Sequence, residues 1–541
     1  MRGTKGLFWL AQFAGVAVTI WLLWFSDIPL GVVGEWTWDR IKYDEAALKE
    51  TSLSWAITGC VTLGYLFFCL FADRRVLEAG RWEMTGWLAG LVLAGMIWHG
   101  VAQECPPDPN RLSKVPWVLW YRGTQGYYAE ARERASQEPD YLAKYFDRMK
   151  EGDVLHFGTH PPGFIQLHKS IISLVQRSPM LQGWLLDYQP QSVRESLNEL
   201  VKNSANSKLA AVELDRAALW LSGLLASFAA MCTVVPLFLL VRRSCGRETA
   251  WRVASLWPLV PALAVFHPVS DLWLPVFGAA FLALWSEAWS KRSVLLAILA
   301  GFVMSVGMRF SLAMLPVSFL AAYWTIADVL LVNTSDPLKS RLQQVGIYVL
   351  AALIPFVVSV ISARVFDGLD LAGVWFQNFK NHAAFYDTSI RSVSKWMLVN
   401  PLELALAAGT PIFIYAVSTW LSSTKGSLKS GRSLASSRFA CFLTIGVLWL
   451  SGKNSGEVAR LWIFLIPWLL WVAGQEEEIA AKIVNGPGQT LPEYTGTPAR
   501  GWMTLMILQA VVCVATVSSV DGFKWADHLA SETAPADGRK L

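Results

Sequence analysis

Hydrophobic residues along this chain fall into long runs that short charged segments separate. Most runs are about 17 to 22 residues long, the length an α-helix needs to cross about 30 Å of hydrocarbon. The runs lie at residues 7–25, 54–72, 84–101, 216–241, 250–266, 272–289, 293–308, 312–332, 344–363, 401–421, 439–452, 461–474 and 502–520. The short alternating segments typical of a membrane barrel do not occur, so the pattern predicts an all-α integral membrane protein with about thirteen transmembrane helices.

Positive charges in the short loops predict the orientation of these helices. If the N-terminus is cytoplasmic, the Lys- and Arg-rich loops, such as the one with Arg242, Arg243 and Arg247, all fall on the cytoplasmic side. The extracytoplasmic side then receives the loops 26–53, 102–215, 364–400 and 453–460. We therefore divide the chain into an N-terminal transmembrane hairpin, a core that includes the exported loop 102–215, and a short polar tail, with bounds 1–83, 84–520 and 521–541.

Composition supports the same class. The chain is 54% hydrophobic and only 16% charged, which is too apolar for a soluble protein of this size. Many of its tryptophans, Trp251 and Trp257 among them, stand near the ends of the runs, as expected at the headgroup boundary. The net charge of +5 lies mainly in short loops and reflects topology rather than nucleic-acid binding. We expect a multi-pass protein, in contact with membrane lipids, of a bacterial inner membrane.

The large exported loop is predicted to contain two helices of its own. One covers Tyr127 to about Lys150, and the other covers Phe164 to about Arg177. The second is amphipathic, with apolar residues such as Ile165 and Ile172 on one face. We therefore expect helices that lie along the membrane surface.

A compact motif with ionisable groups precedes this amphipathic helix. Asp153, His156 and His160 stand ahead of two prolines and a glycine, which favour a fixed turn at a helix start. Such a site can bind an anion; the alternative is a turn that only begins the helix. The two histidines also have the spacing of a zinc pair, but the prolines that follow and the lack of an obvious third ligand disfavour zinc.

Several of these segments resemble a known family. The segments GYYAEA (126–131), YLAKY (141–145) and LHFGTHPPG (155–163) resemble the first exported loop of GT-C superfamily membrane glycosyltransferases. The segment KNSGEVARLW (453–462) is similar to a Gly-Glu-x-x-Arg turn of some bacterial members. The resemblance implies sugar transfer from a polyprenyl-phosphate donor to a lipid, glycan or protein acceptor, as in mannosyltransferases and aminoarabinose transferases. It makes no cofactor certain, although an acidic residue of the family can bind a divalent cation such as Mg or Mn.

Three carboxylates are candidates for the catalytic base that the resemblance implies. The family usually has an Asp or Asp-Glu pair after the first core helix, where this chain has RGTQG at 122–126. Asp153 and Glu130 come later in the same loop, and Asp44 belongs to a Tyr-Asp-Glu segment in the first exported loop. Asp44 can equally be an N-terminal helix cap. The sequence does not rank the three.

Further residues are candidates for substrate binding. Most have an ordinary alternative: Asp271 can serve a tight turn, Arg309 can extend to water, and His382 can belong to an interfacial loop. Arg460 is a candidate phosphate ligand, or the partner of Glu457 in a plain ion pair. The full set is Tyr127, Tyr128, His156, His160, Asp271, Arg309, His382, Lys453, Glu457 and Arg460.

Two other functions compete with the glycosyltransferase. A transporter or flippase of lipid-linked or polar solutes would place its polar sites mid-membrane on interrupted helices within repeated halves. Here the charges crowd into the exported loops and the halves look unlike, which favours the enzyme. A non-catalytic scaffold derived from the same fold is the third hypothesis, because the carboxylate expected after residue 101 is missing.

Overall fold

A computed structural model describes residues 2–151, 156–205, 210–331, 336–388, 391–423, 432–485 and 499–523. The chain begins with α1 (Arg2–Trp24), β1 (Leu30–Val32), β2 (Trp36–Arg40), α2 (Glu45–Val76) and α3 (Arg81–Ala102). Shorter helices follow: α4 (Lys114–Trp120), α5 (Tyr127–Glu130), α6 (Tyr145–Met149), α7 (Gly163–Arg177), α8 (Pro179–Asp187) and α9 (Gln191–Ser204).

The remaining elements form most of the helical bundle. They are α10 (Glu213–Cys232), α11 (Val234–Ser244), α12 (Arg247–Ala254), α13 (Pro261–Val265), α14 (Leu274–Lys291), α15 (Val294–Phe310), α16 (Leu315–Leu331), α17 (Leu338–Asp367), α18 (Leu371–Thr388), α19 (Val393–Ala408), α20 (Thr410–Ser423), α21 (Arg432–Leu450), α22 (Val458–Leu461), α23 (Ile466–Asn485), α24 (Ala499–Val517) and β3 (Val520–Asp521). The protein is therefore all-α, with one small sheet.

Seven helical segments in the described part of the chain are long and apolar enough to cross a membrane, and they become eight if the bent pair α19–α20 is one span. Four shorter apolar helices accompany them. The chain is thus a multi-pass membrane protein, but the predicted count of about thirteen is not confirmed. One cause is the predicted span 250–266, which Pro258 and Pro261 divide into short helices. Another is Gly409, whose φ of +86° accompanies a bend of 115° between α19 and α20.

Both ends of the chain meet in the small sheet. Strands β1 and β2 form an antiparallel hairpin with Leu30 opposite Trp38, and β2 pairs with β3 through Asp39 and Asp521. Helix α1 packs against α20 and α24, and α2 packs against α3 and α12. The predicted N-terminal hairpin is therefore in direct contact with the core.

The helices of the large loop differ in part from the prediction. The stretch 127–150 is not one helix: α5 continues as a single π-helical turn, and turns separate it from α6. Helix α7 forms as predicted, but Ile165 and Val175 are fully buried and the helix packs against α10, so its apolar face contacts protein rather than lipid. Gly163 begins α7 where a Cβ atom would lie 2.3 Å from the carbonyl oxygen of Arg309, and this contact requires glycine.

Two tryptophans predicted at the headgroup boundary lie in the core instead. Trp251 and Trp257 are fully buried, and their indole N–H groups donate to the carbonyl oxygens of Cys69 (3.1 Å) and Ala230 (2.7 Å). A buried indole needs such an acceptor.

Candidate active site

A cavity of about 680 Å³ opens at one end of the bundle. Every segment that lines it belongs to a loop predicted to be extracytoplasmic or to a turn that joins two spans at the same end. The lining residues are 34–36, 123–125, 127, 156, 159–160, 270–271, 382, 385, 391, 455–457, 460–461 and 522–523. Of the predicted site residues, the cavity brings together Tyr127, His156, His160, Asp271, His382, Glu457 and Arg460.

The His-Pro-Pro loop, residues 156–162, is held in place by hydrogen bonds to its backbone carbonyl oxygens. Tyr145 donates its hydroxyl to the carbonyl oxygens of Phe157 (2.8 Å) and His160 (2.9 Å). The amide of Asn381 donates to the carbonyl oxygen of Gly158 (2.7 Å). Tyr145 belongs to α6 and Asn381 to α18, so contacts with two separate helices position the loop.

Two histidines of this loop flank Tyr127. The ring centroids of His156 and His160 lie 6.0 and 5.8 Å from that of Tyr127. Burial, together with the nearby His156, lowers the pKa of His160 to about 3. Burial likewise lowers the pKa of His382. At neutral pH the imidazoles of His160 and His382 are therefore neutral hydrogen-bonding groups and not cations.

Arg460 carries its charge between two carboxylates. Its Nη2 lies 3.4 Å from Oε2 of Glu457, and its Nε lies 3.8 Å from Oδ2 of Asp271. Glu457 has a φ of +58°, and the glycine before it also has a positive φ, so a tight turn places Glu457 at the start of α22. The predicted ion pair thus exists, and Asp271 extends it.

Two glutamates join the β1–β2 hairpin to α19 and α22. Glu35 accepts hydrogen bonds from the backbone N–H of Ser392 (2.7 Å) and the indole N–H of Trp396 (2.9 Å). These hydrogen bonds, those from Ser392 first, lower the pKa of Glu35 to about 2. Glu403 accepts from the indole of Trp38 (3.2 Å) and the backbone N–H of Ala459 (3.2 Å).

The cavity also contains an arginine that the sequence did not single out. The guanidinium carbon of Arg391 lies 5.3 Å from the ring of Trp36 and 5.8 Å from that of Trp396. Neither Glu35 nor Arg391 follows a recognisable motif. The sequence signal that points to this site is the pair Glu35 and Trp36, an acidic residue beside a tryptophan in the predicted extracytoplasmic loop 26–53.

Five of the predicted site residues that the structure describes lie away from the cavity. Asp44 is exposed and accepts from the backbone N–H of Ala47 (2.7 Å), so it is an N-cap of α2. Glu130 is buried, accepts from the hydroxyl of Tyr141 (3.0 Å) and pairs with two arginines. Neither carboxylate lines the cavity.

Tyr128 and Arg309 make structural contacts. Tyr128 donates to Asp215 (2.8 Å) and is fully buried. Arg309 donates to the hydroxyl and the carbonyl oxygen of Ser359 and so joins α15 to α17. Lys453 is exposed on the turn before Arg460, and Asp153 lies outside the described residues.

No group of three or more His, Cys, Asp or Glu side chains within the described ranges could hold a metal ion. The carboxylates of Asp271 and Glu457 share Arg460 as their counterion, which occupies the place a cation would take. The residues described therefore do not fit a divalent cation, and its requirement stays a prediction.

No protein-family model matches the sequence, and no curated protein sequence matches it. Solved structures similar to this chain include the oligosaccharyltransferase of Archaeoglobus fulgidus. Its apo form gives a TM-score of 0.47 at 12% identity, over 83% of this chain and 58% of that one. Its complex with Zn and sulfate gives 0.45 at 11%, over 82% and 55%. This chain thus spans little more than half the length of that protein.

Proposed function

We propose that the protein is a membrane glycosyltransferase that transfers a sugar from a polyprenyl-phosphate donor to an acceptor hydroxyl at the extracytoplasmic surface. One observation carries the proposal. The loops of one end of an apolar bundle converge on a single cavity that holds arginines, neutral histidines, carboxylates and aromatic rings. A lipid-linked sugar presents its phosphate and sugar at this depth while its tail stays in the bilayer.

The cavity must support the exchange of one bond at the sugar, the removal of one proton and the stabilisation of the leaving group. The bond between sugar C1 and the phosphate oxygen breaks, and a bond between C1 and the acceptor oxygen forms. A carboxylate takes the hydroxyl proton of the acceptor, and polyprenyl phosphate leaves with the bonding electron pair. Cations, Arg460 among them, stabilise the charge on the leaving phosphate, while His156 and the neutral His160 hydrogen-bond to it.

Asp271 is the favoured base among the cavity carboxylates of the described residues. Glu35 directs its carboxylate to Ser392 and Trp396, so its oxygens already hold loops together. Glu457 shares Arg460 at the closer distance, 3.4 Å against 3.8 Å for Asp271. Asp153, in the loop of His156, remains a candidate on sequence grounds.

The test is transfer of a radiolabelled sugar from a polyprenyl phosphate by the purified protein in lipid vesicles. Asp271→Asn should lower kcat on the order of 10²- to 10⁴-fold, because the variant cannot accept the proton. Asp187→Asn, an exposed aspartate of the large loop, is the matched control and should transfer normally.

Two results would contradict the proposal. Movement of the intact lipid-linked sugar across the vesicle bilayer without transfer would identify a flippase. Absence of both activities over a panel of hexosyl and pentosyl donors would identify a scaffold.

A further inference from the structure

Arg391 differs from Arg460, the other arginine that lines the cavity, in its ion pairs with the described side chains. Arg460 has two carboxylates within 3.8 Å. Among the carboxylate side chains that the structure describes, none forms an ion pair with Arg391, and its Nη1 atom is buried without a hydrogen-bond partner among the described groups. A half-buried guanidinium with a nitrogen atom out of water and no described counterion favours an anion.

The surroundings of Arg391 fix its position before any ligand arrives. Its guanidinium lies between the rings of Trp36 and Trp396, an arrangement in which cation–π attraction replaces part of the lost hydration. A Cβ atom on Gly456 would lie 3.0 Å from Nη1 of Arg391 and 3.3 Å from Trp396. The glycine therefore leaves room for the guanidinium.

Residues far apart in sequence assemble this arrangement. Trp36 comes from the β1–β2 hairpin, and Glu35 beside it accepts hydrogen bonds from Ser392 and Trp396 at the start of α19. Lys395 also lies 3.4 Å from Glu35. The carboxylate that would be expected to neutralise Arg391 is thus used to fasten the hairpin, and the hairpin supplies one wall of the arginine site.

We infer that Arg391, held between Trp36 and Trp396, is the primary ligand of the phosphate group of a prenyl-phosphate substrate. This inference rests on the proposed function and adds the residue that binds the phosphate in the ground state. A planar guanidinium presents two parallel N–H donors to two phosphate oxygens, which a lysine cannot do. Arg460, whose charge Asp271 and Glu457 already balance, contributes less to this ground-state binding and stabilises the charge that develops as the phosphate leaves.

The test measures binding of farnesyl phosphate to the purified protein by calorimetry, without any sugar transfer. Arg391→Gln should weaken binding on the order of 10- to 100-fold, because a charge-assisted bidentate contact is lost. Arg391→Lys should recover only part of the affinity. Arg364→Gln is the matched control, because Arg364 is exposed at the end of α17 and does not line the cavity.

Further ligands separate the possible sources of the phosphate. Farnesol should bind weakly to the unaltered protein and equally weakly to Arg391→Gln. Inorganic phosphate at millimolar concentration should compete with farnesyl phosphate only in the unaltered protein. Vesicles of an anionic phospholipid should not compete; competition by them would mean that Arg391 binds bilayer headgroups and would overturn the inference.

The outcomes also separate this inference from the proposed function. Equal affinity of Arg391→Gln and the unaltered protein for farnesyl phosphate would overturn the inference, as would a larger loss in Arg460→Gln than in Arg391→Gln. If Arg391→Gln transfers sugar with an unchanged KM for the donor, the inference about Arg391 is also overturned, while the glycosyltransferase proposal stands. Arg391-dependent binding without any transfer would contradict the proposed function and support the anion site. Unchanged melting temperatures of the variants exclude misfolding as the cause.

Discussion

Two arginines beside tryptophan rings, the buried Arg252 in the bundle and the half-buried Arg391 in the cavity, differ in their ion pairs with described carboxylates. Arg252 lies 5.7 Å from the ring of Trp502, comparable with the distances around Arg391. Its Nε and Nη2 donate to the two carboxylate oxygens of Asp73 at 3.1 and 3.0 Å, and Glu248 also accepts from it. Arg391 has the aromatic rings, but none of the described carboxylates forms an ion pair with it.

The difference separates a structural arginine from a candidate binding arginine. A buried guanidinium with its charge matched and its donors filled has nothing to offer a ligand, and it joins α12 to α2. A guanidinium at a comparable distance from aromatic rings, with no counterion among the described side chains, keeps donors for an incoming anion. Aromatic stacking is common to both and does not by itself indicate function.

The largest effect that would sharpen this comparison is on stability. Asp73→Asn leaves the charge of Arg252 buried with only Glu248 beside it, and we expect a loss of about 3 to 5 kcal/mol in the free energy of unfolding. Thermal and denaturant unfolding in detergent measure it. Arg391→Gln should leave stability unchanged or higher. A loss of stability in Arg391→Gln as large as that in Asp73→Asn would show that both arginines are structural.

A smaller effect is expected at Gly456, whose φ is +95°. Gly456→Ala should cost about 1 to 2 kcal/mol of stability from the left-handed backbone alone. Its Cβ would also displace Arg391, so the affinity for farnesyl phosphate should fall.

The matched control for this variant is Gly452→Ala, because Gly452 has a φ of +64° but its Cβ would meet Val393 rather than Arg391. The control should lose similar stability and keep its affinity. If both variants bind farnesyl phosphate as the unaltered protein does, the packing of Gly456 on Arg391 has no part in binding.

The smallest expected effect is on the pH dependence of stability, at His160 in the cavity wall. Its pKa is about 3 in the folded protein against an ordinary value of 6.5, because burial, together with the nearby His156, disfavours the charged imidazole. As the pH falls below 6.5, the unfolded chain takes up a proton that the folded protein does not, so stability decreases toward pH 3. In His160→Gln the free energy of unfolding should decrease less steeply between pH 7 and 5, because unfolding takes up as much as one proton fewer. An identical slope in both proteins would contradict burial of the neutral imidazole.

Much of the architecture could be predicted from the sequence. Most of the apolar runs coincide with helices, although the run 250–266 is divided into short ones; α7 forms over the predicted residues, and the loops predicted to be exported line one cavity. The motif residues Tyr127, His156, His160 and Arg460 meet in the cavity because short motifs fix the local turn and the membrane fixes the end at which it lies. The capping alternative for Asp44 was likewise readable from a carboxylate that precedes a helix.

The sequence by itself determined that this chain is helical, apolar and multi-pass, because hydrophobic length and loop charge are local properties that need no knowledge of neighbours. Only the tertiary structure decided which charges are satisfied. Trp36, Arg391 and Trp396 meet across more than three hundred residues with no shared period or motif. Distances of a few ångströms between separate elements decide that Asp73 pairs with Arg252, while Glu35 pairs with Lys395 rather than with Arg391. Ion pairing and burial are properties of space and not of sequence order, so the distinction between a structural and a binding arginine appears only once the loops are folded together.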